Sequence, residues 1–297
     1  MNINEYLEGK EVKKINIGQS KADVYEIDND VILKHVRRDA TDDDLFKTYS
    51  KEALFYKSRM ECSSYYIPKV MKVELSDDEI TVLMRKYLPL ERSELNEELI
   101  RKITQVLARI HTDEIPEFLS ESVKETEPLS SERIDYCLKG WKSVLNEHPG
   151  AFDENGIDPI ASKINDIKDW HDTEARVLIH GDFHFDNLLK DKDGNIVVCD
   201  WQGVSVGGAS EDLSFFMSRL GADSTAFNPE LVLSLYADAI KEITGENVNI
   251  LDIKKHMAAA NVITSFEFWH EFLHGNDEER VRGIYDKMVE DFQKVSD

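Results

Sequence analysis

Short runs of branched and aromatic side chains, separated by polar turns, fill the first ninety residues. Runs of this length that partly alternate apolar and polar positions predict β-strands. Five such runs lie between residues 11 and 87: EVKKINI, ADVYEI, VILKHV, IPKVMKVEL and ITVLMRKY. The DND tripeptide at residues 28–30 favours a hairpin turn between the second and third runs. The pattern therefore predicts a small five-stranded antiparallel sheet.

A helical pattern interrupts these strands once. Apolar side chains recur there at intervals of three and four residues, which is the spacing of one helix face. They are Phe46, Tyr49, Ala53, Tyr56 and Met60. Three aspartates at residues 42–44 precede this stripe and suit both an N-cap and the positive end of the helix dipole. We expect one helix beside the sheet.

From about residue 93 the helical period dominates. One predicted helix ends near His111 and has Leu99, Ile103, Val106 and Ile110 on one face. Two further helices are predicted within residues 131–172, and the chain after Asp212 has a helical pattern. The fold class expected from these patterns is α+β and bilobal. The small β lobe with one helix would cover residues 1–88, and a larger, mainly helical lobe would cover residues 89–297.

The composition is that of a globular protein and argues against several classes. The 297 residues are 41% hydrophobic and 32% charged, which provides enough apolar material for a sizeable core. No apolar run is long enough to span a bilayer, and residues 1–14 lack the apolar segment of a secretory signal. Cys62, Cys137 and Cys199 are too few and too scattered for a disulfide framework. We expect a cytoplasmic protein without a membrane partner, and we predict no oligomeric state.

The net charge of −23 is distributed unevenly. Residues 1–89 hold 15 basic and 17 acidic side chains, a net charge of −2, so the remaining 208 residues carry −21. Nucleic acid is not an expected partner, because a phosphate backbone requires a basic surface. An acidic lobe attracts cations, although acidity that only aids solubility explains the charge equally well.

The segment VLIHGDFHFDNLLKDKDGNIVVCDWQG, residues 177–203, places many ionisable groups between two apolar runs. Its polar turn DKDGN predicts a hairpin, which can bring Asp182, Asn187 and Asp200 close together. Two carboxylates and an amide are hard oxygen ligands of the kind that hold Mg²⁺ beside phosphates. One carboxylate has to stay free of the metal if it is to accept a proton from an attacking hydroxyl.

HGDFHFDN followed by CDW resembles the catalytic loop and metal-binding aspartate of the aminoglycoside phosphotransferase and choline kinase group. These are small-molecule kinases with the protein-kinase-like fold. Asp-x₄-Asn followed by a strand-terminal Asp is the arrangement that kinase chemistry uses for the base and the metals. His-Gly-Asp stands where protein kinases have His-Arg-Asp, and Asp-Trp-Gln where they have Asp-Phe-Gly. Only eleven residues separate Asp200 from Asp212, so a protein-kinase activation segment is not expected.

The resemblance implies a nucleotide site in the small lobe. Lys34 on the third strand would neutralise the α- and β-phosphates of ATP or GTP, and Glu52 on the helix would position it. The loop IGQSKAD, which contains Ser20, would cover the phosphates. The hinge LMRKYLPL after the fifth strand, with Arg85 and Tyr87, would meet the adenine. These parts occur in the required order along the whole chain.

The same resemblance implies the roles in the larger lobe. Asp182 would act as the base or orient the acceptor hydroxyl, while Asn187 and Asp200 would hold Mg²⁺ on the phosphates. His180 would brace the catalytic loop, and Asp212 would bind the backbone of that loop.

A cationic acceptor, such as an aminoglycoside or an amino alcohol like choline, would suit the acidic lobe. The candidate acceptor residues are Asp186, Glu267 and Glu271, although a solvated helix face explains the two glutamates equally well. Five aromatic side chains could form a ring-stacking pocket, but their spacing favours helix core. They are Phe215, Phe216, Phe268, Trp269 and Phe272.

Two other classes of function stay open. His180, Asp182 and His184 alternate along the chain and could hold Zn²⁺ in a metal-dependent hydrolase. Against this, the other histidines form no second ligand cluster at helix spacing near an obvious acid, and a hydrolase leaves Lys34 and Glu52 unexplained. The second class is a catalytically inactive nucleotide-binding module, which the intact set of catalytic residues argues against.

Overall fold

The computed structural model describes residues 6–15, 21–61, 66–120, 127–153, 155–222 and 227–296. The strands are β1 (Val12–Ile15), β2 (Asp23–Ile27), β3 (Val31–Arg37), β4 (Val70–Leu75), β5 (Glu79–Arg85), β6 (Leu88–Pro89), β7 (Arg176–Ile179), β8 (Leu188–Lys190), β9 (Ile196–Val198) and β10 (Ser205–Gly208). The α-helices are α1 (Asp43–Arg59), α2 (Glu97–His111), α3 (Glu117–Ser120), α4 (Ser131–Asn146), α5 (Asp158–His171), α6 (Ala209–Ala222), α7 (Pro229–Thr244), α8 (Ile250–Thr264), α9 (His270–Leu273) and α10 (Glu278–Ser296). A π-helix, Ser265–Trp269, joins α8 to α9, and short 3₁₀-helices lie at Arg38–Ala40, Arg92–Glu94, Phe185–Asn187 and Trp201–Gly203.

The chain forms two compact units. The first comprises Met1–Ser122, Val177–Val206 and Phe215–Asn247, and the second comprises Val123–Arg176, Gly207–Ser214 and Val248–Asp297. The lobe boundary between residues 88 and 89 stays a prediction. None of the helices described above combines the length and the apolar character that are needed to cross a bilayer.

The first unit contains a five-stranded antiparallel sheet in the order β1-β2-β3-β5-β4. This sheet confirms the prediction from the apolar runs. The β2–β3 hairpin turns at Asp28 and Asn29, whose φ values of 50° and 57° lie in the left-handed region that Asp and Asn tolerate. The register places Lys34 opposite Val24 on one side and Val82 on the other. Lys34 therefore lies on the central strand of the sheet.

Helix α1 packs against β3, β4 and β5. The predicted N-cap is confirmed, because the Asp42 carboxylate accepts a hydrogen bond from the Leu45 N–H at 2.8 Å. The apolar stripe is buried as predicted from Phe46 to Tyr56. Met60 is 41% exposed instead, because the helix ends at Arg59 and the stripe does not continue. Glu52 is buried together with the stripe. A carboxylate is almost never fully buried unless it is paired, so Glu52 is expected to have a partner.

Two further groups of paired strands and one pair of helices lie outside the five-stranded sheet. Strands β6, β8 and β9 form a three-stranded antiparallel sheet, in which Leu188 pairs with Val198. Strand β10 pairs with β7. Helices α2 and α7 pack against each other, with Nδ1 of His111 2.8 Å from the Tyr236 hydroxyl. The prediction that α2 ends near His111 is confirmed.

The second unit is built around helices α4, α5, α8 and α10, whose apolar faces share one core. The two helices predicted within residues 131–172 are confirmed as α4 and α5. Trp141 is fully buried in this core, and its indole N–H donates to the carbonyl groups of Ser265 and Phe266 at 3.2 and 3.1 Å. The π-helix is thereby anchored to α4.

Candidate active site

A buried ion pair joins the sheet to helix α1. Nζ of Lys34 lies 2.6 Å from Oε2 of Glu52 and 3.5 Å from Oδ1 of Asp200. It also lies 5.0 Å from the centre of the Tyr49 ring. Burial by itself lowers the pKa of Lys34, but the negative charges of Glu52 and Asp200 raise it above its usual value. Lys34 is therefore a fixed positive charge beside two carboxylates.

Asp200 follows strand β9 in a left-handed conformation, with φ 63° and ψ 62°. This region is costly for a residue other than glycine, so the surroundings have to hold it. The buried ring of Trp201 stacks on Phe55 of α1 with 4.3 Å between ring centres, and its N–H donates to the Val198 carbonyl at 2.8 Å. The Gln202 amide donates to Oδ1 of Asp200. These contacts direct the Asp200 carboxylate towards Lys34.

His180 links the loop after β7 to the residue before Asp200. Its Nδ1 accepts a hydrogen bond from the Asp182 N–H at 3.2 Å, and its Nε2 lies 3.0 Å from the Cys199 carbonyl oxygen. Because Nδ1 is an acceptor, Nε2 carries the proton and donates to Cys199. The ring is fully buried and meets Trp201 edge-on, with 4.6 Å between ring centres. Both ring nitrogens are occupied, so His180 is positioned to brace the loop and not to bind a metal ion.

Gly181 allows this loop to lie against the turn that follows Asp200. Its φ of +76° favours glycine, and a Cβ at this position would collide with the carbonyl oxygen of Gly203. The glycine of the His-Gly-Asp motif is therefore required by the close approach of two backbone segments.

Asn187 joins Asp182 to the same strand. Its Nδ2 donates to the Asp182 carbonyl oxygen at 2.9 Å and to Oδ2 of Asp182 at 3.1 Å. Its own carbonyl oxygen accepts a hydrogen bond from the Cys199 N–H at 3.0 Å. The structure thus connects Asp182, Asn187 and the strand that ends at Asp200, as the predicted hairpin requires. The two side-chain hydrogen bonds of Asn187 are both donated by Nδ2, so they do not use its Oδ1 atom. Oδ1 of Asn187 and the Asp200 carboxylate are hard oxygen donors of the kind that Mg²⁺ prefers.

Asp182 is a half-exposed carboxylate between Asn187 and His184. Nε2 of His184 lies 3.5 Å from Oδ2 of Asp182, and Nδ1 of His184 accepts from the Asp186 N–H at 3.3 Å. Partial burial raises the pKa of Asp182, but the contacts with His184 and Asn187 lower it below its usual range. Asp182 is therefore ionised at neutral pH and able to accept a proton. The kinase resemblance had implied no role for His184.

We expect His184→Ala to move the acid limb of the pH–rate profile to higher pH. The substitution removes a contact that lowers the pKa of Asp182, so a higher pH is needed to ionise the carboxylate. The measurement is kcat/KM for phosphoryl transfer across the acid range, on protein shown to be folded by circular dichroism. His184→Gln, which keeps an N–H donor, should shift the limb less. An unchanged acid limb in the alanine variant would contradict this role.

Asp186 makes two contacts with arginine side chains that sequence reasoning missed. Its Oδ1 lies 2.7 Å from a guanidinium nitrogen of Arg92, and its Oδ2 lies 3.9 Å from Arg219. The Arg92 guanidinium also lies 5.2 Å from the centre of the Phe185 ring. Arg92 and Arg219 are far from Asp186 along the chain and belong to no recognisable motif, so no local signal could have found them. The Asp186 carboxylate is already paired with positive charge.

The structure does not test the remaining predicted nucleotide contacts, whose roles stay predictions. Ser20 lies outside the described residues. The Arg85 guanidinium lies 4.0 Å from Asp30, and the Tyr87 hydroxyl accepts a hydrogen bond from the Lys69 N–H at 3.1 Å. Neither contact is with Lys34, Glu52 or Asp200.

Three predicted residues belong to the second unit. Asp212 is buried in the first turn of α6. A carboxylate oxygen of Glu267 lies 3.7 Å from Nζ of Lys168. Glu271 lies 3.7 Å from the Arg133 guanidinium and accepts a hydrogen bond from a tyrosine hydroxyl at 3.3 Å. Both glutamates are thus paired within their own unit, and the roles of all three residues stay predictions.

The five aromatic residues that were expected in helix core divide into two groups. Phe216 is fully buried against Phe183, with 5.5 Å between ring centres, and Trp269 packs on the core of the second unit. The expectation is wrong for Phe215, Phe268 and Phe272, which are exposed. Helical spacing alone does not show which face of a helix is covered.

The described cysteines are free thiols. Cys137 and Cys199 form no disulfide, and Cys62 lies outside the described residues. Burial and the negative charge of Asp200 raise the pKa of Cys199 to about 12. Its thiol is therefore neutral at physiological pH.

The fold is shared with small-molecule kinases. A family model for the phosphotransferase enzyme family matches residues 11–238, and the chain belongs to this family. No curated protein sequence matches the chain.

Solved structures of two groups of kinases share the fold. The ADP-bound aminoglycoside phosphotransferase APH(2'')-Ib is 16% identical with a TM-score of 0.61, over 99% of this chain and 97% of that chain. Plasmodium vivax ethanolamine kinase is 13% identical with a TM-score of 0.59, over 98% and 83%. Choline kinase LicA from Streptococcus pneumoniae is 17% identical with a TM-score of 0.55, over 98% and 97%. The predicted protein-kinase-like α+β fold is confirmed.

Proposed function

We propose that the protein transfers the γ-phosphoryl group of ATP to a hydroxyl group of a small molecule. The observation that carries this proposal is Lys34, held 2.6 Å from Glu52 and 3.5 Å from Asp200 on the central strand of the sheet. A buried lysine beside two carboxylates suits the phosphates of a nucleotide. ADP in the related APH(2'')-Ib structure and ATP in a streptomycin–ATP complex of APH(2'')-IIa support ATP as the donor. GTP is the alternative donor, since a GDP complex of a related 2'-phosphotransferase shares the fold.

In this proposal the chain mainly positions groups and neutralises charge. Asp182 accepts the proton of the acceptor hydroxyl as the oxygen attacks the γ-phosphorus, and Asn187 and His184 hold its carboxylate ionised. Lys34 neutralises the α- and β-phosphates, and Glu52 keeps its ammonium in place. His180 keeps the loop against the strand that ends at Asp200.

The oxygen donors of Asn187 and Asp200 fit Mg²⁺. When bound, Mg²⁺ supplies neutralisation of the negative charge on the phosphates. Gln202 and Lys34 contact Oδ1 of Asp200, so its second oxygen is the one available to a metal ion. A cytoplasmic location, where Mg²⁺ and ATP are abundant, completes the proposal.

A cationic acceptor, such as an aminoglycoside or an amino alcohol, is the proposed substrate class. The net charge of −21 over the last 208 residues supports it. Related structures include a gentamicin complex of APH(2'')-IIa, 17% identical with a TM-score of 0.62, and the choline and ethanolamine kinases. Asp186, Glu267 and Glu271 stay the proposed acceptor contacts, and each would share its carboxylate between the acceptor and an arginine or lysine of the chain.

A nucleotide-consumption screen tests this function. Purified protein is incubated with Mg²⁺ and ATP, or GTP, and with aminoglycosides, macrolides, choline, ethanolamine, sugars and nucleosides in turn. We expect ATP to raise the melting temperature only when Mg²⁺ is present, and one class of hydroxyl acceptor to raise ATP consumption above the rate without acceptor. Stabilisation by ATP without consumption in any mixture would favour the inactive nucleotide-binding module. Absence of any effect of either ATP or GTP would contradict the proposal altogether.

A further inference from the structure

A second cluster of ionisable side chains lies in the second unit. One ring nitrogen each from His171 and His256 and a carboxylate oxygen of Glu174 lie within 4.8 Å of one another. Within the described residues it is the only such group of three histidine, cysteine or acidic side chains. His256 lies on α8, whereas His171 and Glu174 lie at and just beyond the end of α5, so sequence spacing could not reveal the group.

The two histidines have unsatisfied polar atoms. His256 is only 8% exposed. Among the described residues, Nδ1 of His171 and Nδ1 of His256 are buried and have no hydrogen-bond partner. Native proteins pair nearly all buried polar groups, so two such nitrogens in one cluster point to a ligand that binds imidazole. Trp170 stacks on the His256 ring with 4.2 Å between centres and 12° between planes, which fixes that ring.

The Glu174 carboxylate is also held in place. Its Oε1 accepts a hydrogen bond from the Ser210 N–H at 2.9 Å, and its Oε2 accepts one from the Ser210 hydroxyl at 2.5 Å. A Cβ at Gly208 would collide with this carboxylate. A carboxylate can accept about four hydrogen bonds or metal contacts, so Glu174 keeps lone pairs for another partner. Hydrogen bonds that orient a carboxylate are typical of metal ligands.

We propose that His171, Glu174 and His256 bind a transition-metal ion of the Zn²⁺ class. Two imidazoles and one carboxylate are a donor set for Zn²⁺ or Co²⁺, and they are too nitrogen-rich for Mg²⁺. Bonds of about 2.0–2.2 Å in a tetrahedral site separate the ligand atoms by about 3.3–3.6 Å. Because the ligand atoms lie within 4.8 Å of one another, they have to approach each other by up to about 1.5 Å when the ion binds. Three protein ligands leave the fourth position for water. The site shares no residue with the proposed phosphoryl-transfer site.

The ion would stabilise the second unit by tying the end of α5 to α8. Because Ser210 in the first turn of α6 donates two hydrogen bonds to Glu174, an ion bound to Glu174 would also connect α6 to this group. Ions that bind only the folded state raise its stability, so the melting temperature should rise with the concentration of free Zn²⁺.

Metal titration of the full chain tests this site. Protein stripped with a chelator is titrated with Co²⁺ and then Zn²⁺, without nucleotide and with excess Mg²⁺ present to occupy hard oxygen sites. We expect one equivalent of Co²⁺ to give the visible absorption of a four- or five-coordinate site, and Zn²⁺ to displace it. His256→Gln and Glu174→Gln should each weaken Zn²⁺ binding by at least about tenfold. Substitution of residues that only hydrogen-bond to a metal ligand already lowers metal affinity by about that factor. Glu174→Gln keeps acceptor oxygen for Ser210 and so preserves the fold.

His274→Gln is the matched control. Its ring lies 2.6 Å from the Glu147 carboxylate, so it is also a histidine–glutamate pair, but it is not a member of the convergent group. Zn²⁺ stoichiometry and affinity should be unchanged in this variant. If His256→Gln does not fold, as judged by circular dichroism, His171→Gln replaces it. Wild-type protein that binds no equivalent of Co²⁺ or Zn²⁺, or binding that is unaffected in the folded Gln variants, would overturn the proposal.

Discussion

Asp182→Ala should abolish phosphoryl transfer while the protein stays folded and still binds nucleotide. The Asp182 carboxylate is half-exposed, and the main contacts of its oxygens are with Nδ2 of Asn187 and Nε2 of His184. Its loss removes the proposed acceptor of the hydroxyl proton, and a positioned general base contributes about 10²–10⁴-fold to the rate. The nucleotide is expected to contact Lys34, which the substitution does not touch.

The measurement is kcat with the best acceptor from the screen, together with nucleotide affinity by calorimetry. Asp193→Asn is the matched control, since Asp193 is an exposed carboxylate in the β8–β9 turn of the same hairpin. It should retain wild-type activity. ATP turnover in Asp182→Ala at a rate close to that of the control would show that Asp182 is not the base.

Lys34→Met should remove activity and also destabilise the protein. Glu52 is buried, and its carboxylate lies 2.6 Å from Nζ of Lys34. Removing one partner of a buried ion pair leaves an uncompensated charge, which typically costs about 3–5 kcal/mol of unfolding free energy. The phosphates of the nucleotide lose their neutralising charge at the same time.

The double variant Lys34→Met/Glu52→Met separates the two effects. An apolar pair replaces the ion pair, so part of the lost stability should return in urea unfolding while phosphoryl transfer stays absent. Lys14→Met is the control, because Lys14 pairs with Asp23 at 2.5 Å on the exposed edge of the same sheet. It should change neither stability nor activity measurably. Activity that returns with stability in the double variant would mean that Lys34 acts only in the fold.

The local parts of the fold were predictable from sequence because they depend on short-range periodicity. Alternating apolar runs predicted the five strands, and the stripe from Phe46 to Tyr56 predicted α1. The predicted hairpin also brought together the residues of the HGDFHFDN and CDW motifs. Lys34 and Glu52 could be paired only through a family resemblance, and their 2.6 Å separation agrees with it.

Contacts between distant segments were not predictable in this way. The stacking of Trp201 on Phe55, the pairing of Arg92 with Asp186, and the group formed with His256 each depend on how elements pack. No local pattern encodes which side chains meet across such distances. Phe268 and Phe272 are exposed and illustrate the same point. Helical spacing shows that apolar side chains share one face of a helix, but it does not show which element packs against that face.

Transfer of the phosphoryl group itself can be followed with ATP labelled at the γ-phosphorus. Wild-type protein is incubated with labelled ATP, Mg²⁺ and the acceptor that the screen identifies, and the products are separated and identified by mass spectrometry. We predict that the label appears on a hydroxyl of the acceptor in an amount equal to the ADP formed. Label found only in inorganic phosphate, or only in unchanged ATP, would contradict a small-molecule phosphotransferase mechanism for this site.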